Sequence, residues 1–438
     1  MENKRTIARR SLASTPRASP SGEGSMETLP DDVVVEILVR VTDVADLFRC
    51  AATCRRCRLL IAEPSFLRRR WPEGVSHLSS LLGLFVVQQP REEPTEGDST
   101  AAPMPPFTPV PWCSIGERYS FLTVPWPPDS QAAVLTSRRG LLVVRFVPLN
   151  EPTNGYEKIM NLALYDPIAG RGRDLPELKS DRPFRIEGCA LLTHADCCPD
   201  ETASSFFKVL IIGGDRDEPR HNLHVFTSTE SSSSWSTPRE CYDSLEDDDT
   251  RVVSQQTTAV VCHGIAHWLF KNASNLYALS VCARTTEMSL TRLPVTPDQT
   301  QPLLGVTNDG TPCLLRLDGK CIMLEIWTRP SHNMSRESDS NTGCWHRTKM
   351  INLQRPEHGK IDQVQCVCVG QTSGILLVKD NQEDMYIVDL QTGAMEAVTN
   401  WFHGIVVMAI PFEMDWPEFF TRNLANSRIE RAKLGGVL

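Results

Sequence analysis

The sequence predicts an α+β multidomain chain, with a small three-helix unit near the N-terminus followed by a large all-β domain, a β-propeller of roughly six or seven blades. Three observations carry that expectation. Apolar residues between 29 and 61 recur at helical spacing. From about residue 78 the helical period gives way to short runs of Val, Ile, Leu and aromatic residues between Gly, Pro, Asp and Ser clusters. Through those runs a weak repeat of about 50 residues recurs, a period that suits four-stranded blades.

Residues 1–25 are rich in Arg, Ser and Pro and poor in large apolar side chains. Such a segment buries too little surface to offset the entropy of ordering, so it reads as a disordered tail; a transit peptide would need an amphipathic apolar face that it lacks. A first helix follows, capped by Thr28 or Asp31, with Pro30 in the opening turn and the acids Asp31 and Asp32 at the positive helix end. Val34, Ile37, Leu38 and Val41 form its apolar stripe. Thr42 and Asp43 break that pattern and start a second helix, whose Val44, Leu47, Phe48 and Ala51 face inward with Cys50 beside them. The third runs through Cys54, Cys57, Leu60 and Ile61 and stops at Glu63-Pro64, because the residue before proline disfavours helix. Cys50, Cys54 and Cys57 lie on one helical face and read as core thiols, since no second set of Cys or His sits nearby to complete a zinc site. So small a unit is near the lower size limit for independent stability, and part of its apolar surface is expected to meet a partner.

The strings LPDDVVVEIL, VADLFRCAATCRRCRLLI and EPSFLRRR, taken in order, resemble an F-box of the plant, grass-type family. The resemblance covers residues 26–72, about a tenth of the chain. It implies docking on a Skp-family adaptor, and through it on cullin and RING proteins of a ubiquitin ligase. Carried over position by position, it names Leu29, Pro30, Val34, Ile37, Leu38, Leu47, Cys50 and Ala51 as adaptor-binding. Cys57 stands where the family often has Trp, so one large anchor is missing. The alternative is a helical cap on the following domain, with every stripe buried internally.

Residues 73–415 form the expected β domain. Candidate strands are 84–88, 140–146, 160–165, 206–212, 223–227, 257–263, 266–270, 276–279, 312–317, 323–328, 364–369, 375–379, 385–390 and 405–410. The repeat shows as a glycine-led strand followed by a second and a third: GLLVVRF with MNLALYDPIAGRGRDLP, HGIAHWLF with SNLYALSVCARTTEMSLTRLP, GTPCLLRL with IMLEIWTR, and GILLVKD with MYIVDLQTGAMEAV. HGIAHWL and the Leu-Tyr-Asp-Pro element at 164–167 also resemble the propeller-like domains that follow plant F-boxes. A β-sandwich or irregular β domain is the alternative. Gln89 to Pro111 and Thr227 to Asp249 read as solvated loops. Residues 416–438 read as a tail with a short helix, Phe420, Leu424 and Ile429 on one side, packed on the β domain.

Composition narrows function further. A net charge of -9 argues against nucleic-acid binding, which needs a positive surface, and no apolar run approaches membrane-spanning length. Fifteen scattered cysteines read as reduced thiols in the cytoplasm or nucleus. No nucleophile elbow, phosphate loop or dinucleotide fingerprint occurs. His263 and His267 with Cys262 form the densest candidate cluster, on one face of a hairpin, against the plainer reading of ordinary hairpin histidines. The F-box resemblance implies a non-catalytic ligase subunit with a protein target of unknown identity, and the composition and motifs add no expectation of a cofactor or metal. A propeller enzyme or a plain scaffold is the alternative.

Overall fold

The computed structural model describes residues 29–89, 107–115, 129–148, 155–197, 206–215, 220–228, 234–241, 251–252, 256–272, 274–296, 302–307, 309–318, 323–329, 345–354, 364–402 and 404–425. The expected tail at 1–25, Thr28 and Ile429 lie outside them.

The described residues begin with four helices, one more than the sequence predicts. Helix α1 (Asp31–Val39) follows Pro30 directly, so Asp31 is its first residue and not its cap. In α2 (Val44–Thr53) the Asp43 carboxylate accepts the Ala45 N–H at 2.9 Å, and its second oxygen accepts the Ser114 hydroxyl at 2.6 Å. Helix α3 (Arg55–Ala62) is capped by the Cys54 sulfur. Pro64 ends α3 as expected but also begins α4 (Pro64–Arg70), because the first helical position needs no N–H.

All sheets are antiparallel. β1 (Leu81–Gln89) lies between β2 (Phe107–Pro109) and β24 (Ile405–Glu413), joining the two ends of the chain. The chain then folds as a meander of β3 (Ser130–Arg138), β4 (Leu141–Pro148), β5 (Glu157–Asp166) and β6 (Arg171–Asp174). A second meander holds β7 (Leu178–Thr193), β8 (Phe207–Asp215), β9 (His221–Thr227) and β10 (Arg239–Glu240); pairing of β5 with β7 fuses the two. Next come β11 (Arg251–Val252), β12 (Val260–Cys262), β13 (Ile265–Lys271), β14 (Leu276–Cys282) and β15 (Met288–Arg292). β16 (Leu303–Val306), β17 (Pro312–Asp318), β18 (Met323–Thr328) and β19 (His346–Asn352) follow, then β20 (Val364–Val369), β21 (Leu376–Asp380), β22 (Met385–Val388) and β23 (Met395–Ala397).

The leading strands of these meanders pack on one another. β24 touches β3, β3 touches β7, β7 touches β12, β12 touches β16, β16 touches β20, and β20 returns to β24. The result is a large all-β domain with a propeller-like arrangement, in which closure leaves few exposed edges.

Several expectations need correction. Residues 107–109 were assigned to a solvated loop, yet they pair with β1, and Val110 beyond them is buried. Gly83 makes that pairing possible: a Cβ there would collide with the Phe107 ring and the Thr108 carbonyl. The second predicted loop is anchored at Trp235, whose indole donates to the Pro176 carbonyl at 2.8 Å and packs on Phe226. Strands β3, β7, β16 and β19 were not anticipated at all. β7 carries Lys179, Asp181, Arg182 and Pro183 in its first half, and such residues weaken a strand signal.

A polar cluster ties leading strands together. Arg138, on β3, donates to both Asp196 oxygens and, at 3.0 Å, to Gln371 beyond β20. Gln371 in turn accepts the Val261 N–H of β12 at 3.1 Å. Glu413 of β24 accepts backbone N–H groups from Gln371, Thr372 and Ser373 at 2.8 to 3.0 Å. Burial favours the neutral Asp196 acid, but Arg138 and Arg139 beside it prevail and hold its pKa at about 2. Burial also depresses His224 and His267 to about 4, so both are neutral near pH 7.

These shifts predict how stability depends on pH. The histidines sit below their ordinary 6.5, so their contribution is complete above that value and is lost as pH falls toward about 4. Asp196 contributes fully above its ordinary 3.8, and that part is lost as pH falls through about 2. Urea midpoints should therefore fall steadily from pH 6.5 downward, and Asp196→Asn should lower the midpoint near neutrality while flattening the acid limb. A pH-independent midpoint would contradict this.

Candidate functional site

Helix α1 is apolar on two sides. Its inner stripe, Val34 and Leu38, is buried in a core shared with α2, α3, α4, β1, β24 and the C-terminal helix Trp416–Phe420. Its outer side carries Val33 and Ile37, one turn apart and 40% and 48% exposed, and Leu29, just ahead of the helix, is 36% exposed. Four-residue spacing keeps Val33 and Ile37 on one face. Pro30 leads into the helix and is also exposed.

Polar contacts fix this opening in place. Arg56 of α3 donates to the Asp31 carboxylate at 2.7 Å and to the Leu29 carbonyl, so the Leu-Pro step is held against the start of α3. One turn along α3 from Arg56, Leu59 is a further exposed apolar residue, at 46%. Glu36 bridges α1 to α4 through Arg69 and pairs with Arg40 at 2.9 Å; the Arg69 hydrogen bond leads in drawing its carboxyl below the ordinary range. These exposed pairs contribute little stability, but they orient α1 on its neighbours.

The sequence-predicted interface residues divide accordingly. Leu29, Pro30 and Ile37 lie on the surface, and Cys50 is half-buried. Val34, Leu38, Leu47 and Ala51 are interior. They were named for the interface by position in the F-box resemblance, and a match of positions does not say which side of a two-sided helix faces outward. Val33 and Leu59, also exposed, were not among the residues named from the sequence. Val33 was legible as the apolar residue four before Ile37; Leu59 carries no comparable signal. Cys57 is buried and packs inside the helical unit.

Beneath this surface the unit is bolted to the β domain by aromatic rings. Phe48 of α2 stands 4.8 Å from Phe420, 5.6 Å from Phe419 and 5.9 Å from Trp416, and Trp71 stacks on Phe420 at 5.7 Å. The Trp416 indole donates to the Ser79 carbonyl at 2.7 Å. Arg139, at the β3–β4 turn, binds Asp415 at 2.6 Å and Glu418 at 3.0 Å, fixing the C-terminal helix to the ring. The C-terminal segment was expected to pack on the β domain; it packs on the helices as well.

The histidine cluster is not assembled as a same-face pair. His263 occupies the tight turn between β12 and β13 with φ 48°, followed by Gly264 at φ 71°, a type I′ geometry. Strand alternation therefore does not align it with His267, whose Nδ1 lies 2.8 Å from the Ser280 hydroxyl. Burial pushes the Cys262 thiol up to about 12, which suppresses its thiolate. A cavity of about 120 Å³ is lined by residues including Ser137 of β3, Cys368 of β20 and Met408 of β24, with Thr257. Among the described residues no group of three or more His, Cys, Asp or Glu is placed to hold a metal ion.

Residues 26–71 match the F-box-like family. No relative among curated proteins matches the chain. Among solved structures, the GH93 α-L-arabinofuranosidase of Fusarium graminearum with arabinobiose is 10% identical, aligning 61% of this chain with 81% of its own at a TM-score of 0.35. The periplasmic gluconolactonase of Pseudomonas aeruginosa is 13% identical, over 62% of this chain and 69% of its own, at 0.34. The Dos1 propeller is 13% identical, over 65% and 70%, at 0.31. Likenesses this distant carry no argument about chemistry.

The division of α1 into two stripes predicts opposite responses to mutation. Val33→Asp and Ile37→Asp should leave the denaturation midpoint of the full chain within about 0.5 kcal/mol of the parent, as is usual for exposed sites. Leu38→Ala should destabilise by about 2–5 kcal/mol through the cavity it leaves. Equal effects at the two positions would refute the division.

Proposed function

We propose that the chain is the substrate-recognition subunit of an SCF-type cullin-RING ubiquitin ligase. F-box domains generally bind Skp1-type adaptors, and the observation that carries the reading is an F-box-like unit whose Leu29, Val33 and Ile37 stripe faces outward. An exposed apolar stripe on a helix that already has a buried one is surplus to folding, and a partner that covers it gains the free energy of its burial. Leu29, Pro30, Val33, Ile37 and Leu59 make the adaptor contact in this reading, with Cys50 at its margin. Val34, Leu38, Leu47 and Ala51 support α1 and α2 from beneath.

The β domain presents the target. In this reading it is a propeller of six blades, five of them led by β3, β7, β12, β16 and β20, and the last assembled from β24, β1 and β2. Loops at the ends of the blades select a protein target, as connecting segments on rigid scaffolds commonly do. The shared aromatic core holds the adaptor surface at a fixed distance from those loops, and that raises the effective concentration of target lysines near the ubiquitin-charged enzyme. The chain itself performs no bond chemistry and works in the cytoplasm or nucleus. No helix among the described residues is long and apolar enough to cross a membrane.

The direct test is capture of a purified Skp-family adaptor by the full chain at about micromolar concentration. Ile37→Asp, and the pair Leu29→Ala with Pro30→Ala, should weaken binding about tenfold or more while the far-ultraviolet spectrum is unchanged. Failure of the folded parent chain to bind, or undiminished binding by both variants, would overturn the proposal.

A further inference from the structure

Helix α3 begins with two cysteines in a C-x-x-C arrangement, Cys54-Arg55-Arg56-Cys57. Cys54 is the N-cap, in an extended conformation with φ -153° and ψ 161°, and its sulfur accepts the Cys57 N–H at 3.3 Å. That cap geometry folds the Cys54 side chain back over the first turn of α3, with its sulfur against the amide of Cys57. Their surroundings differ sharply: Cys54 is exposed, whereas Cys57 is 3% exposed.

From this geometry we infer that Cys54 and Cys57 form a redox-active thiol pair that hydrogen peroxide converts to an intramolecular disulfide. Cys54 is the attacking thiol. Solvent reaches it, and the hydrogen bond from the Cys57 N–H, the first of several around it, draws its pKa below the ordinary thiol value. Burial and the neighbouring sulfur hold the Cys57 thiol above that value, so it keeps its proton until the partner sulfur becomes electrophilic. In the first step the Cys54 thiolate attacks one peroxide oxygen, the O–O bond breaks, and the departing hydroxide takes a proton to become water. Cys54 is left as a sulfenic acid. The Cys57 sulfur then attacks the Cys54 sulfur, an S–S bond forms, the S–O bond breaks, and the hydroxide leaves as water with the Cys57 proton. Two thiols are oxidised by two electrons and one peroxide is reduced to two waters. The inference goes beyond the docking proposal and does not depend on it.

Peptide mapping of the full chain after peroxide treatment and alkylation tests the pair, because trypsin cleaves after Arg55 and Arg56 and so separates the two cysteines. The prediction is a cross-linked Cys54–Cys57 peptide pair, reversed by dithiothreitol and absent from Cys54→Ser, which retains a hydroxyl cap and should fold. In Cys57→Ser, dimedone should label Cys54. Cys282 is the internal reference, a partly exposed thiol held low by hydrogen bonds around Thr285 despite some burial. Full alkylation of both Cys54 and Cys57 under conditions that oxidise Cys282 would overturn the inference. Cross-linking of Cys54 to Cys50, half-buried one turn upstream, would overturn it equally. Should Cys57→Ser not fold, the comparison of the parent with Cys54→Ser decides the matter alone.

Discussion

The pairing of β24 with β1 is the constraint on which the rest of the structure depends. Its register sets Leu81 opposite Glu413, so the helical unit that ends at Arg70 and the helix that begins at Trp416 emerge side by side. Proximity imposed by the sheet brings Phe48, Trp71, Trp416 and Phe420 into a single aromatic cluster, and the helices then share a core with the β domain instead of hanging from it on a linker. The same strand carries Glu413, which accepts three backbone N–H groups from the turn beyond β20 and so ties the closing strand to its neighbour. A buried carboxylate with several backbone donors is a strong and directional fastening.

This arrangement bears on how a short module of marginal size can be both stable and available. Apolar surface that must be buried for folding is buried within the chain: Val34, Leu38, Leu47, Phe48, Ala51, Ile61 and Phe66 all lie in the shared core. Surface left over on the other side of α1 is then free of any folding duty, and its substitution does not threaten the fold. From its size alone, part of the helical unit's apolar surface was expected to be left for a partner. Most of the helical apolar surface is sealed against the chain's own body, while the narrow ridge from Leu29 to Ile37 is not.

The sequence was legible where local physics decides structure. Helix boundaries at Asp43 and Glu63 followed from capping and proline rules, and the repeated glycine-led units corresponded to the second and later strands of the meanders, β4 with β5, β13 with β14, β17 with β18, and β21 with β22. Three of the leading strands, β3, β7 and β16, were harder to see than β12, β20 and β24, which were anticipated. β3 reads Ser-Gln-Ala-Ala-Val-Leu-Thr-Ser-Arg and β16 only Leu-Leu-Gly-Val; both are strands because neighbours on either side pack on them, a tertiary effect that propensity does not record. β2 was hidden in a proline-rich stretch for the same reason. At the candidate site the residue set was legible but its facing was not. Periodicity finds apolar positions, and only the packed structure shows that α1 has an inner and an outer line of them.

Hydrogen–deuterium exchange of the full chain with and without a Skp-family adaptor tests this account most directly. The account predicts new protection confined to the start of α1 and the exposed face of α3, with amides of α2 and residues 416–424 unchanged, because those are already protected by the shared aromatic core. Protection gained in α2 and the C-terminal helix, or their deprotection on binding, would mean that the helical unit must leave the β domain to engage its partner, and would contradict the claim that docking uses a surface folding leaves free.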